Sequence, residues 1–109
     1  MNESGTLTIS GTGDMYDFVI ANDMSWYDQR YDIKQIVIES GVTSIGRHAF
    51  YYCENVTSVL VQGEITRVGA FAFYECNKLV EIDLPDSNME IGKMAFYNCD
   101  SLEHINMRT

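Results

Sequence analysis

The amino-acid sequence predicts an α/β solenoid, a stack of coils that each combine a parallel strand with short helical turns. Two observations support this fold class: the chain repeats itself every 23 residues, and each repeat opens with alternating apolar residues. In addition, residues 1–32 lie outside the period, and this segment predicts a β-rich N-terminal cap. We therefore expect one structural domain of 109 residues, with repeats at 33–55, 56–78 and 79–101 and a partial repeat at 102–109.

Identical residues at equal spacing define the repeat. The identical columns are Gly46, Gly69 and Gly92; Ala49, Ala72 and Ala95; Phe50, Phe73 and Phe96; Tyr51, Tyr74 and Tyr97; and Cys53, Cys76 and Cys99. Aliphatic columns share the phase and begin at Ile33, Ile36, Ile38 and Ile45. Because a lone repeat buries too little apolar surface to offset its ordering entropy, we expect these columns to stack from coil to coil.

Each repeat predicts the same series of elements. Apolar residues such as Ile82 and Leu84 alternate as in a strand, a second short apolar pair follows, and a glycine then permits a sharp bend. The segment 47–53 and its copies favour one or two helical turns. Asn88 stands in a column that is apolar in the other repeats, so either the third repeat is locally loosened or Met89 packs into the gap.

The two ends of the chain predict different features. Residues 6–10 alternate like a strand, residues 11–13 predict a turn, and residues 24–27 offer apolar surface to the first repeat. At the other end the sequence stops inside the fourth strand, with no polar capping segment after it. An uncapped solenoid end exposes strand edges, so we expect this partial repeat to pair two chains into a homodimer.

Composition and charge exclude several classes of partner. Sixteen acidic residues against seven basic ones give a net charge of -9, which repels phosphate backbones, so we expect no direct binding to nucleic acid. No stretch approaches the roughly 18 consecutive apolar residues of a membrane span, and the N-terminus lacks the pattern of a signal peptide. We expect neither membrane insertion nor an export signal in this chain.

The sequence contains no arrangement that is typical of catalysis. His48 and His104 fall in different phases of the repeat, and no serine lies in a nucleophile elbow. Cysteines 23 residues apart lack the close pairs of zinc sites and predict a ladder of buried free thiols, with a disulfide as the alternative. We therefore expect no enzymatic activity, no cofactor and no metal.

The repeat pattern resembles that of a known family. The runs Ile45-Gly46-x-x-Ala49-Phe50-x-x-Cys53-x-x-Val56 and Leu102-x-x-Ile105-x-Met107 are similar to BspA-type bacterial leucine-rich repeats. The resemblance implies a curved right-handed solenoid whose first strands line a concave face, and it implies a surface or secreted adhesion module. It predicts a cell-surface or secreted location if the chain is a fragment of a larger member, and a cytoplasmic one if these residues are the whole gene product.

The concave face is the candidate binding surface, because strand alternation directs the side chains between the buried columns onto it. The candidate partner-binding residues are Val37, Glu39, Leu60, Gln62, Glu81, Asp83, His104 and Asn106, and Gln35 and Ser58 share the face. Val37 and Leu60 are apolar at positions that need not be, which predicts a small hot spot with an acidic rim. The predicted function is non-enzymatic protein–protein interaction or adhesion, with a protein ligand.

Two further interpretations stay open from the sequence. The column of Tyr51, Tyr74 and Tyr97 predicts either half-buried packing on the convex side or a stacked aromatic strip for carbohydrate or protein. The alternative function is a small acidic cytoplasmic inhibitor of the phage anti-defence type, which imitates nucleic acid and blocks a basic enzyme groove. A charge mimic would lose affinity steeply as salt rises, whereas an apolar hot spot would not.

Overall fold

The computed structural model describes residues 4–15, 17, 26–84 and 89–107, with residues 104–107 described by their backbone alone. The described strands are β1 Thr6–Ile9, β2 Gly13–Asp14, β3 Gln35–Ile38, β4 Val42–Ile45, β5 Ser58–Val61, β6 Arg67–Val68, β7 Glu81–Leu84, β8 Glu90–Ile91 and β9 His104–Met107. They form a five-stranded sheet in the order β1-β3-β5-β7-β9 and a four-stranded sheet in the order β2-β4-β6-β8. All described pairings are parallel, and the predicted solenoid is confirmed.

The register of the five-stranded sheet follows the sequence period. Gln35 pairs with Ser58, Ser58 with Glu81, and Glu81 with His104, so each pair is one repeat apart. The first step is longer, because Thr6 pairs with Gln35. The N-terminal segment thus adds β1 to the five-stranded sheet and β2 to the four-stranded sheet, where Gly13 lies opposite Val42.

The core lies between the two sheets and the segments that join them. The aliphatic columns are buried in the inner coils, as are the repeated alanines and the first two residues of the phenylalanine and cysteine columns. Phe73 stacks between Phe50 and Phe96, with ring centroids 5.3 and 5.4 Å apart. Met89 packs against this core, whereas Asn88 lies outside the described residues. Burial of the same column in successive coils is what makes the stack stable.

Residues 47–53, 70–76 and 93–99 form the third side of each coil, here called the turn side. They form consecutive turns in place of the regular helical turns that the sequence favours. The amides of His48, Phe50 and Tyr52 donate to carbonyls of the next coil, over 3.0, 2.8 and 2.8 Å, while the Ala49 amide donates to Gly46 of its own coil. Since alternate amides bond outside the coil, an α-helical pattern cannot form here.

Left-handed backbone accompanies this alternation. His48 and Tyr52 have φ of 61° and 59°, and the residues at the same positions of the next coils, Phe71, Glu75, Met94 and Asn98, are also left-handed. Such φ values are uncommon for residues other than glycine. Their recurrence in each coil, together with the coil-to-coil bonds, shows that the turn side is a third ladder of backbone hydrogen bonds.

The glycine column has a different role from the bend that the sequence predicts. A Cβ on Gly69 would lie 2.5 Å from the backbone nitrogen of Arg47, and one on Gly92 would lie 2.5 Å from that of Ala70. Neither glycine has a positive φ. The column therefore consists of glycine because each coil approaches the backbone of the preceding coil too closely for any side chain.

Besides the strand pairings, two groups of side-chain contacts join the N-terminal segment to the first two repeats. The Trp26 ring stacks on Phe50 with centroids 5.9 Å apart, and its indole nitrogen donates to the Ala49 carbonyl over 2.8 Å. The Asp17 carboxylate accepts the Arg47 amide over 2.8 Å and pairs with the Arg67 guanidinium over 3.2 Å. Trp26 therefore extends the phenylalanine stack by one ring toward the N-terminus.

Candidate interaction surface

The outer surface of the five-stranded sheet, here called the strand face, carries the side chains that alternate with the buried ones. Its two rows, in order from β1 to β7, are Thr6, Gln35, Ser58 and Glu81, and Thr8, Val37, Leu60 and Asp83. The neighbouring columns, such as Ile36 and Val59, point into the core and are buried. The strand alternation that the sequence predicts thus places two rows of side chains on one surface.

A shallow groove of about 260 Å³ crosses the middle of the strand face. Its side-chain lining comes from Gln35, Val37, Ser58, Leu60, Glu81 and Asp83. Leu60 is 44% exposed although the next residue along the strand, Val61, is fully buried. Val37 is half-buried and lies directly opposite Leu60 in the sheet. The groove therefore has an apolar centre on two adjacent strands.

Acidic side chains lie on the C-terminal side of this apolar centre. Glu81 is exposed and Asp83 is half-buried, and Asp83 pairs directly with Leu60 across β5 and β7. The described residues of the two rows include no lysine or arginine. Along the solenoid axis the strand face thus changes from neutral threonines on β1, through an apolar centre, to carboxylates on β7.

The structure does not bring all the candidate residues together. Val37, Leu60, Glu81 and Asp83 line the groove, whereas Glu39 and Gln62 are exposed just beyond the ends of β3 and β5 and do not line it. The backbone of β9 places His104 opposite Glu81 and Asn106 opposite Asp83, but their side chains lie outside the description. Whether these residues bind a partner stays a prediction.

Two residues of the strand face were missed by the sequence reasoning. Thr6 and Thr8 lie on β1, opposite Gln35 and Val37. A strict spacing of 23 cannot find them, because the step from β1 to β3 is longer than the repeat. The signal that was present is the alternation of apolar and polar residues in β1 itself.

Comparison with a family model now identifies the repeat. Residues 22–109 match the model described as BspA type leucine rich repeat region. The chain belongs to the BspA-type leucine-rich repeat family. The match begins within the segment that we predict as a cap and includes Trp26, whose ring stacks on the first repeat.

Two solved structures are similar to this leucine-rich repeat chain. One is a leucine-rich repeat protein from Eubacterium ventriosum, with a TM-score of 0.69 and 26% identity. The match covers 99% of this chain and 41% of the Eubacterium protein. The other is a leucine rich cell surface protein from Faecalibacterium prausnitzii, with a TM-score of 0.56 and 16% identity, and it supports the fold alone. This second match covers 97% of the present chain and 48% of the other. The chain thus spans less than half the length of either protein, and no curated protein matches it.

The three repeated cysteines lie one per coil, within the core or packed against it. All three thiols are free, and those of Cys76 and Cys99 donate to the carbonyls of Phe50 and Phe73 in the preceding coil, over 3.2 and 3.1 Å. Desolvation by burial raises the pKa of Cys53 to about 12 and that of Cys99 to about 11. The described residues contain no group of three or more histidine, cysteine or acidic side chains able to hold a metal ion. At neutral pH these thiols are protonated, so they are poor nucleophiles.

The tyrosine column packs against itself. Tyr74 stacks between Tyr51 and Tyr97, with centroids 4.9 and 5.0 Å apart and the rings 9° and 14° from parallel. The ring faces of Tyr74 are therefore covered by its neighbours, and Tyr97 at the end of the described stack is 45% exposed. A sugar ring stacks on an open aromatic face, so this arrangement favours packing over a carbohydrate-binding strip.

A larger cavity, of about 620 Å³, lies beside the four-stranded sheet. Its lining includes Asp17, Arg67, Glu90 and the backbone at Gly69 and Gly92. The Asp17 carboxylate already pairs with Arg67. The hydrogen bond from the Arg47 amide lowers the pKa of Asp17, and desolvation offsets this effect only in part.

No helix in the described part of the chain is both long enough and apolar enough to cross a bilayer.

Proposed function

We propose that this chain is a non-enzymatic protein-interaction module whose strand face contacts a protein ligand. The observation that supports the proposal is the exposure of Leu60 beside Val37 in a groove bordered by carboxylates. The strand fold needs no apolar side chain at these two positions, because the core is filled from the opposite side of the same strands. Solenoid repeats commonly use such extended surfaces for recognition.

The groove has the composition of a small interface. Covering Leu60 and Val37 removes apolar area from water, at about 25 cal/mol per Å² buried. The carboxylates of Glu81 and Asp83 border this area, so a partner with complementary charge meets less electrostatic repulsion than an acidic one. The Leu60 contact would then supply most of the affinity, and the rim would select the partner.

We also propose a cell-surface or secreted location and an adhesive role for the protein. The support is the membership in the BspA-type family and the fold shared with a protein described as a leucine rich cell surface protein. Nothing in these comparisons favours the alternative of a cytoplasmic nucleic-acid mimic. Surface labelling of intact cells, with a cytoplasmic protein as control, tests the location.

Affinity capture followed by a binding measurement tests the interaction. The wild-type chain, a Val37→Arg/Leu60→Arg double variant and a Glu64→Arg control are immobilised and exposed to host lysate and surface extract at low and high salt. Glu64 is exposed and does not line the groove. The purified partner is then titrated against each variant by calorimetry. We expect the double variant to lose binding and the control to keep it.

The outcomes separate the two functions that the sequence left open. A partner that binds equally well at both salt concentrations and is lost in the double variant supports the strand face. A nucleic-acid-processing enzyme that the double variant still retains, and that high salt releases, would contradict the proposal. Circular dichroism checks that both variants keep the fold; Leu60 and Glu64 are exposed, and Val37 is half-buried on the outer side of the sheet.

We further propose that the last described repeat pairs two chains into a homodimer. In this repeat Ile91 is 51% exposed and Met94 44%, although Val68, the equivalent of Ile91 in the preceding coil, is fully buried. Ile91 lies on β8, the last described strand of the four-stranded sheet. A second copy presents the same apolar residues and the same edge, so a two-fold arrangement can cover both.

Light scattering across a concentration series tests the homodimer. We expect the wild-type mass to rise toward that of a dimer and an Ile91→Glu variant to remain monomeric. The Glu64→Gln variant, altered at an exposed residue of another coil, should dimerise as the wild type does. A wild-type chain that stays monomeric at high concentration would rule the homodimer out.

A further inference from the structure

The cavity of about 620 Å³ beside the four-stranded sheet contains an unsatisfied backbone donor. Ala70, the first residue of the turn side in its coil, lines this cavity. The next two amides are bonded, that of Phe71 to the Lys93 carbonyl over 3.0 Å and that of Ala72 to the Gly69 carbonyl over 3.2 Å. The Ala70 amide has no acceptor among the residues that the structure describes. Since backbone amides away from bulk water are normally paired, this donor is a position for a ligand atom.

The equivalent amide of the first coil shows which group such a donor binds. Arg47 occupies the same position one repeat earlier, and its amide donates to the Asp17 carboxylate over 2.8 Å. The same carboxylate accepts from the Arg67 guanidinium over 3.2 Å. A carboxylate from outside the repeats thus bridges the first amide of one turn side and an arginine of the next coil.

The two amides have the same backbone surroundings. A Cβ on Gly69 would lie 2.5 Å from the Arg47 nitrogen. In the next coil, a Cβ on Gly92 would lie 2.5 Å from the Ala70 nitrogen. The glycine beside Arg47 does not prevent the contact with Asp17, so the glycine beside Ala70 leaves the same approach open. Ala70 is partly exposed, and the cavity gives a ligand access to it.

Basic side chains surround this amide. Arg47 and Arg67 line the cavity, and Lys93 is exposed at the start of the next turn side. Three of the seven basic residues of an otherwise acidic chain are thus gathered here. Asp17 is already paired, which leaves Glu90 as the one unpaired carboxylate among the described lining residues. A guanidinium has five N–H donors, so Arg67 can bind a second carboxylate beside Asp17.

Ile91 gives the cavity an apolar border. Its side chain is 51% exposed and follows Glu90 on β8. A carboxylate that carries an apolar neighbour would therefore match the amide, the basic side chains and this border together. A small free anion would match only the first two. The combination favours an acidic side chain within a peptide segment.

We propose that this cavity binds an acidic side chain of a partner protein. The carboxylate would accept the Ala70 amide and an N–H of Arg67, and an apolar neighbour in the partner would contact Ile91. Hydrogen bonds from an amide to a charged acceptor are shorter and stronger than those to a neutral one. The site is separate from the strand face, because the cavity and the groove share no described lining residue.

NMR titration of the full chain with small probes tests the proposal. The probes are N-acetyl-Leu-Asp-Leu-amide, the same peptide with asparagine in place of aspartate, acetate and inorganic phosphate. Because Ile91 also belongs to the surface proposed for the homodimer, the protein concentration is kept low enough for light scattering to show a monomer.

The Ala70 amide is the reporter of binding. We expect the aspartate peptide to move its proton downfield and to slow its exchange with solvent, with saturation in the millimolar range. The Arg47 amide, which already donates to Asp17, should change little and serves as an internal reference. The asparagine peptide should have little effect at the same concentration, and acetate and phosphate should bind more weakly than the aspartate peptide.

Two pairs of variants separate recognition from overall charge. Arg67→Gln should weaken binding of the aspartate peptide about threefold or more, because a charge-assisted hydrogen bond is lost. Lys34→Gln, which removes an equal charge at an exposed position outside the cavity, should not. Glu90→Gln should strengthen binding by removing a like charge, whereas Glu64→Gln, outside the cavity, should leave it unchanged. Amide spectra verify that each variant is folded.

Three results would overturn the proposal. One is an Ala70 amide whose shift and exchange do not respond to the aspartate peptide. Another is equally tight binding of the asparagine peptide, acetate or phosphate, which would show that a carboxylate on a peptide is not what the cavity recognises. The third is equal weakening by Lys34→Gln and Arg67→Gln, which would show that the peptide responds only to the overall charge of the protein.

Discussion

Single residues of this repeat differ in environment although they are identical in sequence. Cys53 and Cys76 are fully buried, whereas Cys99, in the last described repeat, is partly exposed. Burial raises the pKa of all three thiols, to about 12 for Cys53 and to about 11 for Cys99. Identity of sequence therefore predicts the position of a thiol in its coil, but the neighbouring coils determine its reactivity.

Thiol labelling of the native protein checks this difference. We expect iodoacetamide at pH 8 to modify Cys99 first, and Cys53 and Cys76 only after denaturant is added, because the attacking species is the exposed thiolate. Mass spectrometry of the peptides gives the order of modification. Equal labelling of all three thiols in the native state would show that the stack opens readily.

Asp17 provides a second prediction at the scale of a residue. The hydrogen bond from the Arg47 amide lowers its pKa below 3.8, and the Arg67 guanidinium adds to this effect. A lowered folded-state pKa means that the carboxylate stabilises the fold above about pH 4, and that this contribution is lost as the pH falls through the lowered pKa. The side chain is about half exposed, so the contribution is small.

Asp17→Asn should lower the free energy of unfolding at pH 7 by about 0.5–1 kcal/mol. The wild type and the variant should converge in strongly acidic solution, where the wild-type carboxyl is also neutral. Urea unfolding of both proteins across a pH series measures the difference. If the difference in the free energy of unfolding between the two proteins persists at the lowest pH, the charge of Asp17 is not what stabilises the contact.

At the scale of elements, the coil spacing depends on the glycine column. Gly69→Ala would place a methyl group against backbone atoms of Arg47, at 2.5 and 2.8 Å, which cannot move as a flexible side chain can. We expect the free energy of unfolding to fall by about 1–3 kcal/mol. Glu64→Ala, at an exposed position of the same coil, should change it little. Chemical unfolding measures both, and equal stability of the two variants would contradict the close approach seen here.

The elements also show what sequence periodicity can predict. The strands and their register follow from the alternation and from the constant spacing, so the pairing of Ile36 with Val59 is predictable in detail. The turn side is not, because its amides bond to the next coil and a helical pattern depends on bonds within the coil. The role of Gly69 was also not predictable, since close approach between coils leaves no separate signal in the sequence.

At the scale of the whole molecule, the candidate site was predictable in part. Alternation along each strand placed Val37, Leu60 and Asp83 on one surface, and the structure brings them together in a groove. It did not predict that Glu39 and Gln62 lie beyond the groove, because strand ends are not fixed by alternation.

The central claim is that the strand face contacts a protein partner through Leu60. The most direct measurement is photo-crosslinking of the captured partner to chains in which p-benzoylphenylalanine replaces Leu60 or, as a control, Glu64. The account predicts a partner adduct from position 60 and none from position 64, with both chains folded. An adduct from position 64 alone, or equal yields from both positions, would contradict it.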